Sequence, residues 1–134
     1  WVKAAAARGV DVRILLPWYS NHIVVDWLAR GYFTECLEGG LRIFGYRYAM
    51  LHAKTCTVDG QWVTLGTANL DRLSSIGNFE INVEIYSAEL ARQMQDLFES
   101  DLTGVSELTI EKWKSRAWYI KLSERIVAPL RFFL

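Results

Sequence analysis

The chain is poor in the residues that build metal centres and disulfide frameworks, with two cysteines and two histidines in 134 residues. Cys36 and Cys56 form no CxxC pair and fall in different elements, which excludes a zinc ribbon and a disulfide scaffold. Two buried, reduced thiols are expected instead, consistent with a cytosolic face. No cluster of His, Asp and Glu has metal-ligand spacing, so no catalytic metal is expected. No apolar run reaches the roughly 18 to 20 residues of a membrane span, and no signal peptide opens the chain. The first residue is Trp1, from which a fragment or a processed piece is expected. Net charge is absent too, 15 Lys and Arg standing against 15 Asp and Glu.

Apolar residues are plentiful, at 51% of the chain, enough for the core of one domain. Val2 to Arg8 is Ala-rich and reads as a short helix stopped by Gly9. Val10 to Leu16 alternates as a strand that Pro17 ends. Ser20 or Asn21 can cap a helix running to about Glu38, with Val24, Trp27, Leu28 and Cys36 as its core face and Gly39-Gly40 as its stop. Leu41 to Tyr46 is a second strand, so strand, helix and strand predict a right-handed crossover with parallel pairing. Asn82 to Tyr86 is another strand, and Ser87 caps a helix from Ala88 to Leu102 whose Leu90, Met94, Leu97 and Phe98 recur at helical spacing. The expected fold is an α/β sandwich.

Between these elements lies the stretch His52 to Glu80. Ala53 to Val58 reads as one arm of a hairpin and Gln61 to Asn69 as the other, joined by Asp59-Gly60, the dipeptide that favours a two-residue type I′ turn. That turn would place Lys54 opposite Leu65 and His52 opposite Thr67. His52, Lys54, Thr67 and Asn69 would then share one face. An ammonium, a hydroxyl and a carboxamide suit the oxygens of a phosphoryl group, a neutral imidazole can attack phosphorus, and Gly66 would let a phosphate approach the backbone. The plain alternative is the polar outer face of an ordinary hairpin. Asp59 sits at the turn and is given a structural role.

His52, Lys54, Asp59, Gly66, Thr67 and Asn69 fit His-x-Lys, four residues, Asp, six residues, Gly-Thr/Ser-x-Asn, six fixed positions within eighteen residues. This resembles the signature of the phospholipase D superfamily. From Val10 to Leu102 the chain is similar to the second half of bacterial cardiolipin synthases, notably in RGVDVRILLP, MLHAKT and NFEINVEIY. The resemblance implies a mixed β-sheet flanked by helices, a metal-free and cofactor-free route through phosphohistidine, His52 as nucleophile, and Lys54 and Asn69 as phosphate ligands. It also implies that Glu80, in Asn78-Phe79-Glu80, orients the far nitrogen of His52 and so fixes its tautomer. A second copy of the motif supplies the acid in such enzymes. His22 cannot head that copy, because residue 24 is Val, and it is read as a surface or capping residue. The family's Arg-Ser, four and five residues after the Asn, is Leu73-Ser74 here, with Arg72 before it.

The charge is unevenly spread. Residues 109 to 134 hold six Lys or Arg against Glu111 and Glu124, giving +4, so residues 1 to 108 carry −4. The chain accordingly divides into a catalytic half-domain, 1–108, and a basic aromatic helical tail, 109–134. In the tail Trp113, Trp118, Tyr119, Phe132 and Phe133 interleave with the cations, as suits an interfacial helix on anionic lipid or one docked on a missing half of the protein. The acidic remainder argues against a nucleic-acid partner. The expected activity is phosphatidyl transfer at the cytoplasmic side of the cell membrane on a phosphatidylglycerol-like lipid. This chain would supply one of two motifs, the other coming from a missing N-terminal half or from a homodimer. A single-motif nuclease working as a homodimer and a silent half-domain are the alternatives.

Overall fold

The computed structural model describes residues 1–19, 23–69 and 79–127. The chain forms two compact units, one from residues 1–51 together with the described residues from 104 on, the other from residues 52–103.

The first unit begins with α1 (Val2–Ala7), β1 (Arg13–Pro17), α2 (Ile23–Arg30), α3 (Phe33–Glu38) and β2 (Arg42–Tyr46). It is completed by β6 (Glu107–Leu108), α5 (Ile110–Lys114) and α6 (Trp118–Val127). Strand β1 pairs parallel with β2, as a strand-helix-strand sequence requires, from Arg13 opposite Arg42 to Pro17 opposite Tyr46. Short β6 adds antiparallel to the other edge of β2, so the sheet is mixed, in the order β1-β2-β6. Pro17 is the last residue of β1 and does not bound it from outside. It tolerates this place because its missing N–H costs an edge strand nothing on the open side.

The single helix expected up to Glu38 is two helices, broken at Gly31 and Tyr32. Gly31 N still donates to Trp27 O at 3.2 Å, but Tyr32 N turns back to Ala29 O, a tighter turn that ends α2 and re-aims the chain. The expected caps Ser20 and Asn21 and the residue His22 lie outside the described residues, as does the side chain of Val24. Of the expected core face, Leu28 is buried, while Trp27 and Cys36 are half-buried. Helix α3 stops as Gly39-Gly40 predicts. Gly40 takes φ +84°, its N–H donates to Leu37 O and Leu41 N donates to Cys36 O at 3.0 Å, the paired bonds of a Schellman close.

Phe33, Ile43 and Trp113 make the buried cluster of this unit, with Leu16, Trp18, Leu37, Leu108 and Ile110 packed on it. Phe33 and Trp113 meet tilted, 5.2 Å between ring centres, and the indole N–H donates to Thr34 Oγ1 at 2.9 Å. Trp113, read from the sequence as an interfacial ring, is therefore a core residue. Its position in the cluster follows from α5, which Thr109 caps through Lys112 N. Beyond it, Arg116 and Glu124 form a two-pronged, largely buried ion pair, Nη2 to Oε2 at 3.1 Å, and Arg116 Nε donates to Trp113 O at 2.8 Å.

The second unit holds β3 (Lys54–Val58), β4 (Trp62–Gly66), β5 (Asn82–Tyr86) and α4 (Ala88–Leu102). Its strands form an antiparallel sheet in the order β3-β4-β5. The hairpin thus has a sheet of its own, so the strands divide between two three-stranded sheets where one mixed sheet was expected. Ser87 caps α4 by accepting from Leu90 N at 3.2 Å, and the helix packs on β3 and β4 around Val63 and Ala91, both fully buried. Cys56 is exposed on β3 and not buried as expected. It faces away from Val63 by strand alternation.

Candidate active site

The hairpin turn has the φ signs expected of Asp59-Gly60, +51° and +63°, and Gln61 N donates to Val58 O at 3.1 Å. The ladder nevertheless pairs Val58 with Trp62, leaving Gln61 as an extra residue in the turn. Every pair is displaced by one from the two-residue register, so Lys54 faces Gly66 where Leu65 was expected. A one-residue slip moves each side chain to the other face. Val63 decides the register. Pairing Lys54 with Leu65 would have put the ammonium on the Val63 face that α4 buries, whereas the observed register sets Thr55 and Thr57 there and turns Lys54 away.

The single face expected for His52, Lys54, Thr67 and Asn69 therefore fails for Thr67 and Asn69, which both have the parity of Leu65 and Val63. Thr67 lies just past β4 and its hydroxyl is held locally. Oγ1 accepts from Ile81 N at 3.0 Å and lies 3.4 Å from Ile81 O, while Thr67 N donates to Ile81 O at 2.9 Å.

His52 and Lys54 do come together. Residues two apart in extended chain project to the same side. Lys54 Nζ lies 2.9 Å from His52 Nδ1 and 3.1 Å from Nε2, and it donates to the His52 carbonyl at 2.8 Å. An ammonium carries only donors, so whichever ring nitrogen bonds to it must accept, and which one does so depends on the tautomer. His52 is exposed and Lys54 half-buried at the head of β3. A nucleophilic nitrogen beside a fixed cation, open to solvent, can receive an anionic phosphoryl group.

Lys54, Gly66 and Asn82 occupy one row across the sheet, since Lys54 pairs with Gly66 and Gly66 with Asn82. Asn69 is exposed three residues past Gly66, and Glu80 is half-buried two residues before Asn82. Gly66 has its small size imposed by β5. A Cβ there would stand 2.1 Å from Asn82 Oδ1 and 2.2 Å from Ile81 O. Asp59 occupies the turn, where an Asp tolerates the left-handed conformation. Arg72, Leu73, Ser74 and Asn78 lie outside the described residues. Among the described residues no group of three or more His, Cys, Asp or Glu is placed to hold a metal ion. The residue that sequence reasoning missed is Asn82. The signal was an Asn, poorly suited to a strand, at the head of β5.

Comparison with known proteins agrees with the resemblance read from the motif. The family described as cardiolipin synthase, PLD-like domain, matches residues 1–102. A cardiolipin synthase of Clostridium perfringens is 36% identical over 132 residues, covering 96% of this chain and 28% of the relative. One from Listeria monocytogenes is 37% identical over 132 residues, covering 96% of this chain and 27% of the relative. The chain thus spans little more than a quarter of the length of the curated relatives it matches. Among solved structures, Nuc from Salmonella typhimurium, a phospholipase D family member, superposes with a TM-score of 0.68 at 22% identity. That match covers 81% of this chain and 70% of Nuc, and bears out the α/β fold.

Proposed function

The chain belongs to the cardiolipin synthase family of phospholipase D-like domains, and from that premise we propose that it supplies one of the two catalytic motifs of a phosphatidyltransferase. The observation that carries the reading is the His52–Lys54 pair at the head of β3, imidazole and ammonium 2.9 Å apart within the family's motif. In the first step an imidazole nitrogen of His52 attacks the phosphorus of a phosphatidylglycerol-like donor. The P–N bond forms as the bond to the head-group oxygen breaks, and an acid from the other motif protonates the departing alkoxide. In the second step an acceptor alcohol, its proton taken by that same group, attacks phosphorus and releases His52. Lys54 neutralises the phosphoryl oxygens, Asn69 donates to them, and Glu80 holds the second nitrogen of His52 so that one tautomer is presented. The small share of each relative that the chain spans supports a site completed by residues outside these 134, from another part of a longer protein or a second copy.

For the membrane surface the supporting feature is α6. Trp118, Leu122 and Ile126 are exposed one turn apart, with Lys121 and Arg125 between them, while Glu124 on the other side is buried. That stripe suits the head-group region of an anionic bilayer. Among the described residues no helix is long and apolar enough to cross a membrane.

The test is a two-substrate assay on the full-length protein, phosphatidylglycerol against DNA, with wild type and His52→Asn. Phosphatidyl transfer and a covalent phosphoenzyme are expected with the lipid in wild type alone. Turnover of DNA without turnover of lipid, or a phosphoenzyme that persists in His52→Asn, would refute the reading.

A further inference from the structure

Asn82 has no place in the motif, yet it touches the part of the motif that carries Asn69. Its Oδ1 accepts from Ala68 N at 3.3 Å and fills the space that a side chain at Gly66 would take. Next to it, Thr67 N and the Thr67 hydroxyl donate to Ile81 O and Ile81 N donates to Thr67 Oγ1, so residues 67 and 68 are tied to residues 81 and 82 by four hydrogen bonds. A backbone N–H can be met only by the oxygen of the carboxamide, which fixes how the group is turned. The peptide that Asn82 holds ends at Ala68, and Asn69 is the next residue. The strand position pays a propensity cost for Asn, and an exposed residue with no apolar surface to bury gains nothing there from packing.

We propose that Asn82 is a positioning residue, which through the Ala68 N–H sets the backbone that presents Asn69 to the phosphoryl group. Gly66 leaves room for the Asn82 carboxamide, which lies over it beside the Ile81 carbonyl. The inference rests on the reading of Asn69 as a phosphate ligand. It adds that the ligand is placed from a strand outside the motif.

A double-mutant cycle on the full-length protein tests it, with kcat and KM for phosphatidyl transfer, the melting temperature of each variant, and hydrogen exchange at the Ala68 amide. Asn82→Ala is expected to lower kcat by about 10²-fold, since a displacement of about 1 Å is enough for such a loss, and to speed exchange at Ala68. In an Asn69→Ala background the same change should lower kcat less than about 3-fold, because the group it positions is gone, while the melting temperature shifts equally in both backgrounds. Asn82→Ser, too short to reach Ala68, should behave as Asn82→Ala and serves if the alanine variant folds poorly. An equal loss in both backgrounds would overturn the inference, as would unchanged exchange at Ala68. Full activity of Asn69→Ala would overturn the phosphate-ligand reading and this inference with it. Loss in Asn69→Ala with wild-type kcat in Asn82→Ala would overturn the inference alone.

Discussion

In the first unit Leu28, Phe33, Leu41, Ile43, Phe44 and Trp113 are buried, whereas among the described residues of the second unit Val63 and Ala91 alone are buried hydrophobics. Both units leave large apolar side chains exposed, Trp118, Leu122 and Ile126 among those of the first and Phe79, Ile81, Val83, Tyr86 and Leu97 among those of the second. Three of these, Phe79, Ile81 and Val83, alternate along β5 and the residues just before it. The unit carrying His52 and Lys54 thus has the thinner core. Buried packing is concentrated in one unit and the candidate site lies in the other, as expected where a site must accept and release ligand.

The largest expected difference between the units lies in their cores. Trp113→Ala removes a ring that is 2% exposed, its packing on Phe33 and its bond to Thr34, and should cost about 3–5 kcal/mol by denaturant unfolding. Val63→Ala in the second unit should cost about 2 kcal/mol, as a smaller side chain from a smaller core. A larger loss from Val63→Ala than from Trp113→Ala would reverse the ranking of the cores.

Glu124→Gln comes next, at about 3 kcal/mol, because it leaves the Arg116 guanidinium half without its carboxylate in a site where Glu124 is 7% exposed. A change below about 0.5 kcal/mol would mean that water already screens the pair. On the surface of the same unit, Trp118→Ala with Ile126→Ser should weaken binding to anionic vesicles by about tenfold, the value of roughly 1.4 kcal/mol of lost apolar burial. Added salt should weaken wild-type binding, since Lys121 and Arg125 are screened. Equal binding by the variant would remove α6 from the lipid contact.

The smallest effect is a pH dependence. The Arg42 guanidinium, 2.8 Å away, holds the Glu107 carboxyl below the usual glutamate range. A depressed folded-state value contributes stability that is fully present above the ordinary pKa, about 4.3, and is lost as pH falls through the lower folded value. With both side chains over a third exposed, the contribution should stay under about 1 kcal/mol. Glu107→Gln should lower the stability of the first unit by that small amount near neutrality and flatten its loss below about pH 4, so that variant and wild type converge in acid. An unchanged acid limb would assign that limb to other carboxylates.

The same contrast separates what the sequence made legible from what it hid. Local patterns read well: Gly40 closes α3, Ser87 caps α4, and β1 and β2 pair in parallel. The motif was legible as a spacing, and the His52–Lys54 pair follows from two-residue alternation. Failures came where tertiary packing overruled a local preference. Asp59-Gly60 keeps its preferred φ signs, but the demand to bury Val63 and not Lys54 adds Gln61 to the turn and slips the register. Trp113 sits in a basic aromatic stretch, and composition alone cannot tell a ring that meets Phe33 from one that meets lipid. Asn82 was missed because its partners, Gly66 and Ala68, are distant in sequence.

The central claim is that these 134 residues hold half of a phosphatidyl-transfer site. The most direct measurement is phosphatidyl transfer by the purified chain across a range of concentrations, with oligomeric state recorded in the same samples and a chain carrying the other motif added in a parallel series. The account predicts no transfer by the monomer and His52-dependent transfer once the second motif is supplied, by that chain or by self-association. Robust, His52-dependent transfer by a strictly monomeric sample would contradict it.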